Sequence, residues 1–191
     1  QAQLQRLTQQ MQPHFLFNAL NTVSSLMRSD VEKADATLIQ LAEVLRATLD
    51  AGEQPETGLD AELRLVRAYS RVMEERFAGR VTVSWDIADA ALACKVPVMS
   101  IQPLLENVFK HTVERRRQPT SIVVRARIEE STLLVSVKDD GGTLLTEADA
   151  GTGLKNLRQR LAVLYGDAAG LALEQLSPAG VRAVMRLPCA C

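Results

Sequence analysis

The chain has 191 residues, 22 basic and 23 acidic side chains for a formal charge of -1, and is 47% hydrophobic, 24% charged and 4% aromatic. That balance belongs to an ordinary soluble protein able to bury a core. It carries no electrostatic footprint for nucleic acid and few platforms for stacking bases, and no apolar run approaches the roughly 18 residues of a membrane span.

No signal peptide is evident. Because the chain opens on Gln1 inside a helical pattern, it reads as a cytoplasmic portion of something longer. Leu4, Leu7 and Met11 recur at helical spacing before Pro13, and Leu16, Leu20, Val23 and Met27 do so after it. Proline is normally excluded from a helix interior, so the chain bends or starts a new segment immediately before His14. His14, Asn18 and Asn21 fall on one polar line of that helix, which makes His14 a candidate working group. Ser29 with Glu32 fits a capping box, opening a second helix striped by Val31, Ala34, Leu38, Leu41 and Leu45. That seam has the spacing of helix-on-helix packing. A lone hairpin buries little, so pairing with a second copy into a four-helix bundle is expected.

Two glycines and Pro55 between Ala51 and Gly58 mark a linker, dividing residues 1–52 from 53–191. A helix is expected over Leu59–Phe77, with Leu63, Val66, Ser70, Met73 and Phe77 on one side, then a strand at Val81, Val83, Trp85 and Ile87. Val98–Arg116 reads as helix; Ile122–Ile128 and Leu133–Val137 as a strand pair; Gly141–Gly153 as a loop; Leu154–Tyr165 as helix. Leu171–Leu173 and Val181–Leu187 close as a hairpin around Pro178 and Gly180. The class is therefore α+β, an N-terminal helical hairpin followed by a mixed, mostly antiparallel sheet covered by helices on one face. Cys94, Cys189 and Cys191 lack metal-site spacing, and reduced thiols are expected.

Three stretches of the second region carry chemistry. In Gln102–His111, Leu104, Leu105 and Val108 face the core while Glu106, Asn107, Lys110 and His111 share the opposite side. The Asn107 amide oxygen suits a hard cation such as Mg²⁺, and Lys110 and His111 can meet phosphates. Asp139, on the inward side of its strand before Gly141 and Gly142, can accept from the exocyclic amine of adenine, its burial being costly otherwise. Gly151-Thr152-Gly153 opens a helix, whose N-terminal N–H groups favour anions.

The string Gln12-Pro13-His14-Phe15-Leu16-Phe17-Asn18 closely resembles the phosphoacceptor box of LytS/YehU-type sensor histidine kinases, with an AlgZ/FimS-like branch as a candidate within them. The three later stretches resemble the N, G1 and G2 boxes of the GHKL superfamily of ATP-binding domains, so the second region is expected to be a GHKL-type α/β sandwich. The resemblance covers roughly Leu7 to Pro188. It implies ATP with Mg²⁺, phosphorylation of His14 with Asn18 orienting the imidazole, and Lys110 assisting transfer. It implies Asn107 for the metal, Asp139 for adenine, and Glu106, Lys110, His111, Gly141, Gly151, Gly153, Leu154 and Asn156 around the nucleotide. It further implies a homodimer that passes the phosphoryl group to an Asp of a response regulator, often of LytTR type. The full-length protein would sit in the inner membrane through an N-terminal sensor region absent here. Two departures stand out. Phe15 follows the histidine where many histidine kinases carry an acid. Thr143 replaces the last glycine of Asp-x-Gly-x-Gly, which predicts strain and weak ATP binding if that position needs a positive φ. The alternative reading is a degenerate nucleotide-binding dimeric scaffold or another GHKL ATPase.

Overall fold

A computed structural model describes residues 13–50, 54–144 and 152–189, with the side chains of Pro13, His14 and Asp50 outside the description. The Leu4–Met11 stripe, Gly151 and Cys191 lie outside the described residues.

Two helices form the N-terminal hairpin: α1 (Pro13–Leu26) and α2 (Val31–Asp50). The cap of α2 is Asp30 rather than Ser29, since its Oδ1 accepts from the Lys33 N–H at 3.1 Å. The buried lines also differ from the expected stripes. In α1 it is Phe15, Ala19 and Val23 that pack inward, leaving Phe17, Leu20 and Met27 exposed. In α2 it is Ala34, Thr37, Leu41, Val44 and Thr48, leaving Val31 and Leu38 exposed. Thr37 and Thr48 enter that apolar seam because their hydroxyls donate back to the carbonyls of Lys33 and Val44, at 2.7 and 2.8 Å. Both helices pack on α3 (Leu59–Arg76), so one continuous core runs from Phe15 to Cys189.

The inward side of α3 carries Leu59, Glu62, Leu63, Val66, Tyr69, Ser70 and Met73, all buried, matching the expected stripe but adding an acid. A short strand β1 (Glu56–Gly58) pairs antiparallel with β3 (Lys95–Pro97), a small ribbon that the sequence reading did not anticipate. The main sheet has β2 (Val81–Ile87), β4 (Thr120–Glu129), β5 (Thr132–Asp139), β6 (Gly170–Gln175) and β7 (Val181–Pro188) in the order β2-β4-β5-β7-β6. Only β2 and β4 are parallel within this sheet. Ile122, Val124, Ala126, Leu133, Val135, Val137, Met185 and Leu187 form its buried face. The other face carries Arg125, Lys138 and Arg186.

The helix expected over Val98–Arg116 is shorter. Met99 has φ 55°, a left-handed value that no helix tolerates, and α4 spans Gln102–Val108 before passing into a wider π turn at Phe109–Val113. The last helix, α5, is Thr152–Tyr165. Cys94 and Cys189 are joined in a disulfide, with Cα atoms 5.7 Å apart, which corrects the expectation of reduced thiols. The turn after β2 and the end of β7 meet on one side of the sheet although 95 residues separate them, a proximity that spacing could not reveal.

Candidate functional site

Strand β5 ends at Asp139, which is 1% exposed. Its Oδ1 accepts from the Gly141 N–H at 3.0 Å and from the Gly142 N–H, so the carboxylate folds the glycine turn around itself. Gly142 sits where nothing larger fits: a Cβ there would lie 2.6 Å from the Thr112 hydroxyl and 2.8 and 2.9 Å from the two Asp139 oxygens. Gly180, in the β6–β7 hairpin at φ 109°, passes beneath, donating its N–H to the Gly142 carbonyl at 2.9 Å. An open cavity of about 690 Å³ lies above, walled by His111, Thr112, Arg116, Gly141, Gly142 and Thr143. Arg116 reaches across Gly141 to pair with Asp140 at 3.3 Å. A buried carboxylate, a hydroxyl and bare backbone around one cradle suit a flat, hydrogen-bonding base.

Thr143 does not have the expected strain. Among described non-glycine residues only Met99 and Glu130 have positive φ. Gln175 explains the path: its Oε1 accepts from the Leu144 N–H at 2.5 Å and its Nε2 donates to the Gly180 carbonyl at 2.8 Å. The chain is thereby drawn along the hairpin instead of turning left-handed.

At the other end of α4, Gly153 and Leu154 of α5 lie against its first turn. A Cβ on Gly153 would stand 3.6 Å from Pro103 Cβ, and buried Leu154 anchors the start of α5. Asn107 is half-buried on α4, and Asn156 is exposed one turn into α5. The loop before α4 is pinned by Glu62, whose two carboxylate oxygens accept from Met99 N–H at 2.9 Å and Ile101 N–H at 3.0 Å. Arg160 donates to the Met99 carbonyl at 3.2 Å. Burial raises the Glu62 pKa against the lowering effect of those backbone donors and of Arg160.

The four polar residues of Glu106–His111 do not share one side. His111 faces the base cradle, while Glu106 and Lys110, one turn apart, face a second cavity of about 290 Å³. Its far wall is α1, through Phe15 and Asn18. Phe15 is held by Tyr69, ring centroids 4.7 Å apart, and Tyr69 in turn meets Phe109 edge-on at 6.1 Å. Gln102 Nε2 donates to Glu106 Oε1 at 2.9 Å, and Arg76 pairs with Glu114 at 3.0 Å. The sequence reading missed Glu62, Thr112, Arg116, Arg160 and Gln175. Of these only Glu62 carried a signal, being an acid on an otherwise apolar helical line.

This α+β layer, with a buried aspartate in a glycine turn beside a helix bearing Asn107, has the fold of the GHKL type, here with a helical hairpin docked on it. The histidine kinase family model matches residues 2–81. Sensor protein LytS of Enterococcus faecalis is 34% identical over 98% of this chain. Sensor histidine kinase/phosphatase LytS of Staphylococcus aureus is 36% identical over 92%. The histidine kinase domain of the Erythrobacter litoralis blue-light activated kinase superposes with a TM-score of 0.54 at 19% identity, covering 98% of this chain and 94% of that one. Histidine kinase ThkA, solved with the response regulator TrrA, has a TM-score of 0.52 at 15% identity over 93% of this chain and 59% of its own. The chain belongs to the LytS-type sensor histidine kinases, and it spans about a third of the length of those relatives, 34% and 32%. Among the described residues no helix is long and apolar enough to cross a membrane.

Proposed function

We propose that this chain is the kinase core of a two-component sensor, in which His14 receives the γ-phosphoryl group of ATP and passes it to an aspartate of a response regulator, with LytTR-type regulators as the expected class. The observation that carries the reading is the position of α4. Its continuation through His111 and Thr112 meets the base cradle at Gly142, and Glu106 with Lys110 faces the helix that bears His14. The chemistry of the cradle supports adenine as the base: the buried Asp139 carboxylate and the Thr112 hydroxyl both lie beside Gly142. Asn107 would hold Mg²⁺ through its amide oxygen, with waters and phosphate oxygens completing a hard-cation shell. ATP with its metal supplies the transferable phosphoryl group and neutralises part of its charge. The protein's share is alignment and countercharge, from Lys110 and the start of α5 with Gly151, Gly153, Leu154 and Asn156.

Residues 1–52 would carry phosphoacceptor and dimerisation roles and 53–191 the nucleotide. The exposed apolar residues of the hairpin, among them Phe17 at 67% and Leu38 at 47%, fit a second copy of this chain closing a four-helix bundle. The core would then work on the cytoplasmic side of the membrane.

Incubation with γ-labelled ATP is expected to give a label that is lost in acid and stable in base, as a phosphohistidine requires. His14→Gln should abolish it while ATP affinity stays within about twofold. Label that persists in His14→Gln and disappears in His111→Gln would assign the acceptor to the other histidine.

A further inference from the structure

Gly141 has no backbone need to be glycine: among the described glycines, positive φ falls at Gly79, Gly166 and Gly180. Its missing side chain is accounted for by Arg116. A Cβ at Gly141 would lie 1.4 Å from Arg116 Nη1, 2.2 Å from its Cζ and 2.8 Å from its Nε. The guanidinium therefore fills the space that any larger residue would claim. Several contacts hold it there. The Arg80 guanidinium donates to the carbonyl of Val113 at 2.8 Å and to that of Arg116 itself, which fixes the chain where it leaves the π turn. Asp140 Oδ1 pairs with Arg116 Nη1 at 3.3 Å and also accepts from the Ser121 N–H at 3.0 Å. Arg115 and Arg117 border the same cavity but are exposed, whereas Arg116 is half-buried.

The place so filled is next to the seat of the base. Consecutive Cα atoms are about 3.8 Å apart, so a group lying over Gly141 and a flat ring lying over Gly142 come within stacking contact. Both positions border the same cavity. Guanidinium groups stack on aromatic faces, adding cation–π attraction to dispersion. Asp139, by contrast, does not choose the base alone. A carboxylate accepts equally from the N6 amine of adenine and the N4 amine of cytosine, so the floor of the cradle treats ATP and CTP alike. What separates them is ring area, two fused rings against one, and that is what a stacking group reads.

Resting on the nucleotide-binding part of the reading above, we propose that Arg116 makes the cradle prefer a purine: its guanidinium, held over Gly141 by Asp140, stacks on the ring whose exocyclic amine Asp139 accepts. The two residues divide the selection between them. Guanine presents an oxygen where adenine presents its amine, so Asp139 disfavours it. Cytosine offers the amine but half the face, so Arg116 disfavours it. Adenine satisfies both. Glycine at 141 is then part of the same device, since a side chain there would displace the guanidinium from the base.

The test reads the binding of ATP, CTP and inorganic tripolyphosphate by calorimetry, with Mg²⁺ present, in the 191-residue chain and its Arg116→Lys and Arg116→Met variants. Lysine keeps the charge without the plane, and methionine keeps the length without either. The Arg116 side chain is 28% exposed, so neither change is expected to disturb folding. The parent should bind ATP at least about tenfold more tightly than CTP. In both variants ATP affinity should fall at least about fivefold and the ATP-to-CTP ratio should shrink at least about threefold, while tripolyphosphate affinity stays within about twofold. ATP, CTP and tripolyphosphate weakening together would make Arg116 a phosphate contact, and ATP affinity kept in Arg116→Lys would make it a charge alone. Either result overturns the proposal, as does an unchanged ATP-to-CTP ratio. A parent that binds neither nucleotide would overturn the nucleotide reading itself. That outcome is distinct from a parent that binds ATP and is matched by both variants.

Discussion

At Gly142 the space for a single methyl group is already claimed by the Thr112 hydroxyl and both oxygens of Asp139. Gly142→Ala must push one of these away, and both are fixed: Asp139 by its own turn and Thr112 by burial on the π turn. ATP affinity in Gly142→Ala is expected to fall at least about tenfold by calorimetry, the scale at which one misplaced polar contact costs about 1–3 kcal/mol. Thr143→Gly, one residue on, should change it by no more than about twofold, because Thr143 has no left-handed backbone to relieve. The contrast between these neighbours marks how far residue-level reading of the sequence reached. Asp139 was legible because an acid on the inward phase of an alternating strand must be either satisfied or used. The demand on Thr143 was not legible. It is set by Gln175 and Gly180, which come from a hairpin more than thirty residues away.

The elements around α4 were legible in kind and not in length. The period of Val98–Arg116 is helical, but Met99 is bent into a left-handed conformation by contacts that belong to α3 and α5. Glu62 accepts the Met99 and Ile101 N–H groups with separate oxygens, so Glu62→Gln replaces one acceptor with a donor facing an N–H. This should cost about 1–3 kcal/mol in denaturant unfolding. The cost should also depend on pH. Burial raises the Glu62 pKa above its ordinary value of 4.5. The folded state therefore holds the proton more tightly than the unfolded one, and that contribution is complete below pH 4.5 and lost as pH rises through the folded-state pKa. Glu62→Gln has no such term, so the stability gap between parent and variant should narrow on going from pH 4.5 to neutral. A gap that widens over that range would mean that the backbone donors, and not burial, dominate the carboxylate.

For the whole molecule, the mixed sheet and its inward residues follow from alternation, and the hairpin from the three-four spacing of its apolar positions. The spacing did not reveal which apolar line faces inward. Two adjacent lines on α1 are both hydrophobic, and only the aromatic pocket around Tyr69 selects Phe15, Ala19 and Val23. The rejected line stays exposed, and it is the line that the proposed dimer would bury. Phe17→Glu combined with Leu38→Glu changes two exposed positions and removes no core contact. Light scattering is expected to give the mass of one chain for this variant and of two for the parent, with the thermal unfolding of the second region little altered. Dimers that survive both charges would move the interface away from the hairpin.

Phe15 follows His14 directly in the chain, and its ring is the first of a row that continues through Tyr69 and Phe109 to Phe77. A helix cannot turn one of these two residues without turning the other. Withdrawing the ring exposes a side chain whose burial is worth about 1.5–3 kcal/mol, or roughly 10- to 150-fold in the populations of seated and unseated α1. Torque applied to α1 therefore meets a detent of finite depth, formed by the same row that braces α4. The helix that bears His14 is held in its rotation by one aromatic ring, and a twist that supplies that energy would release it.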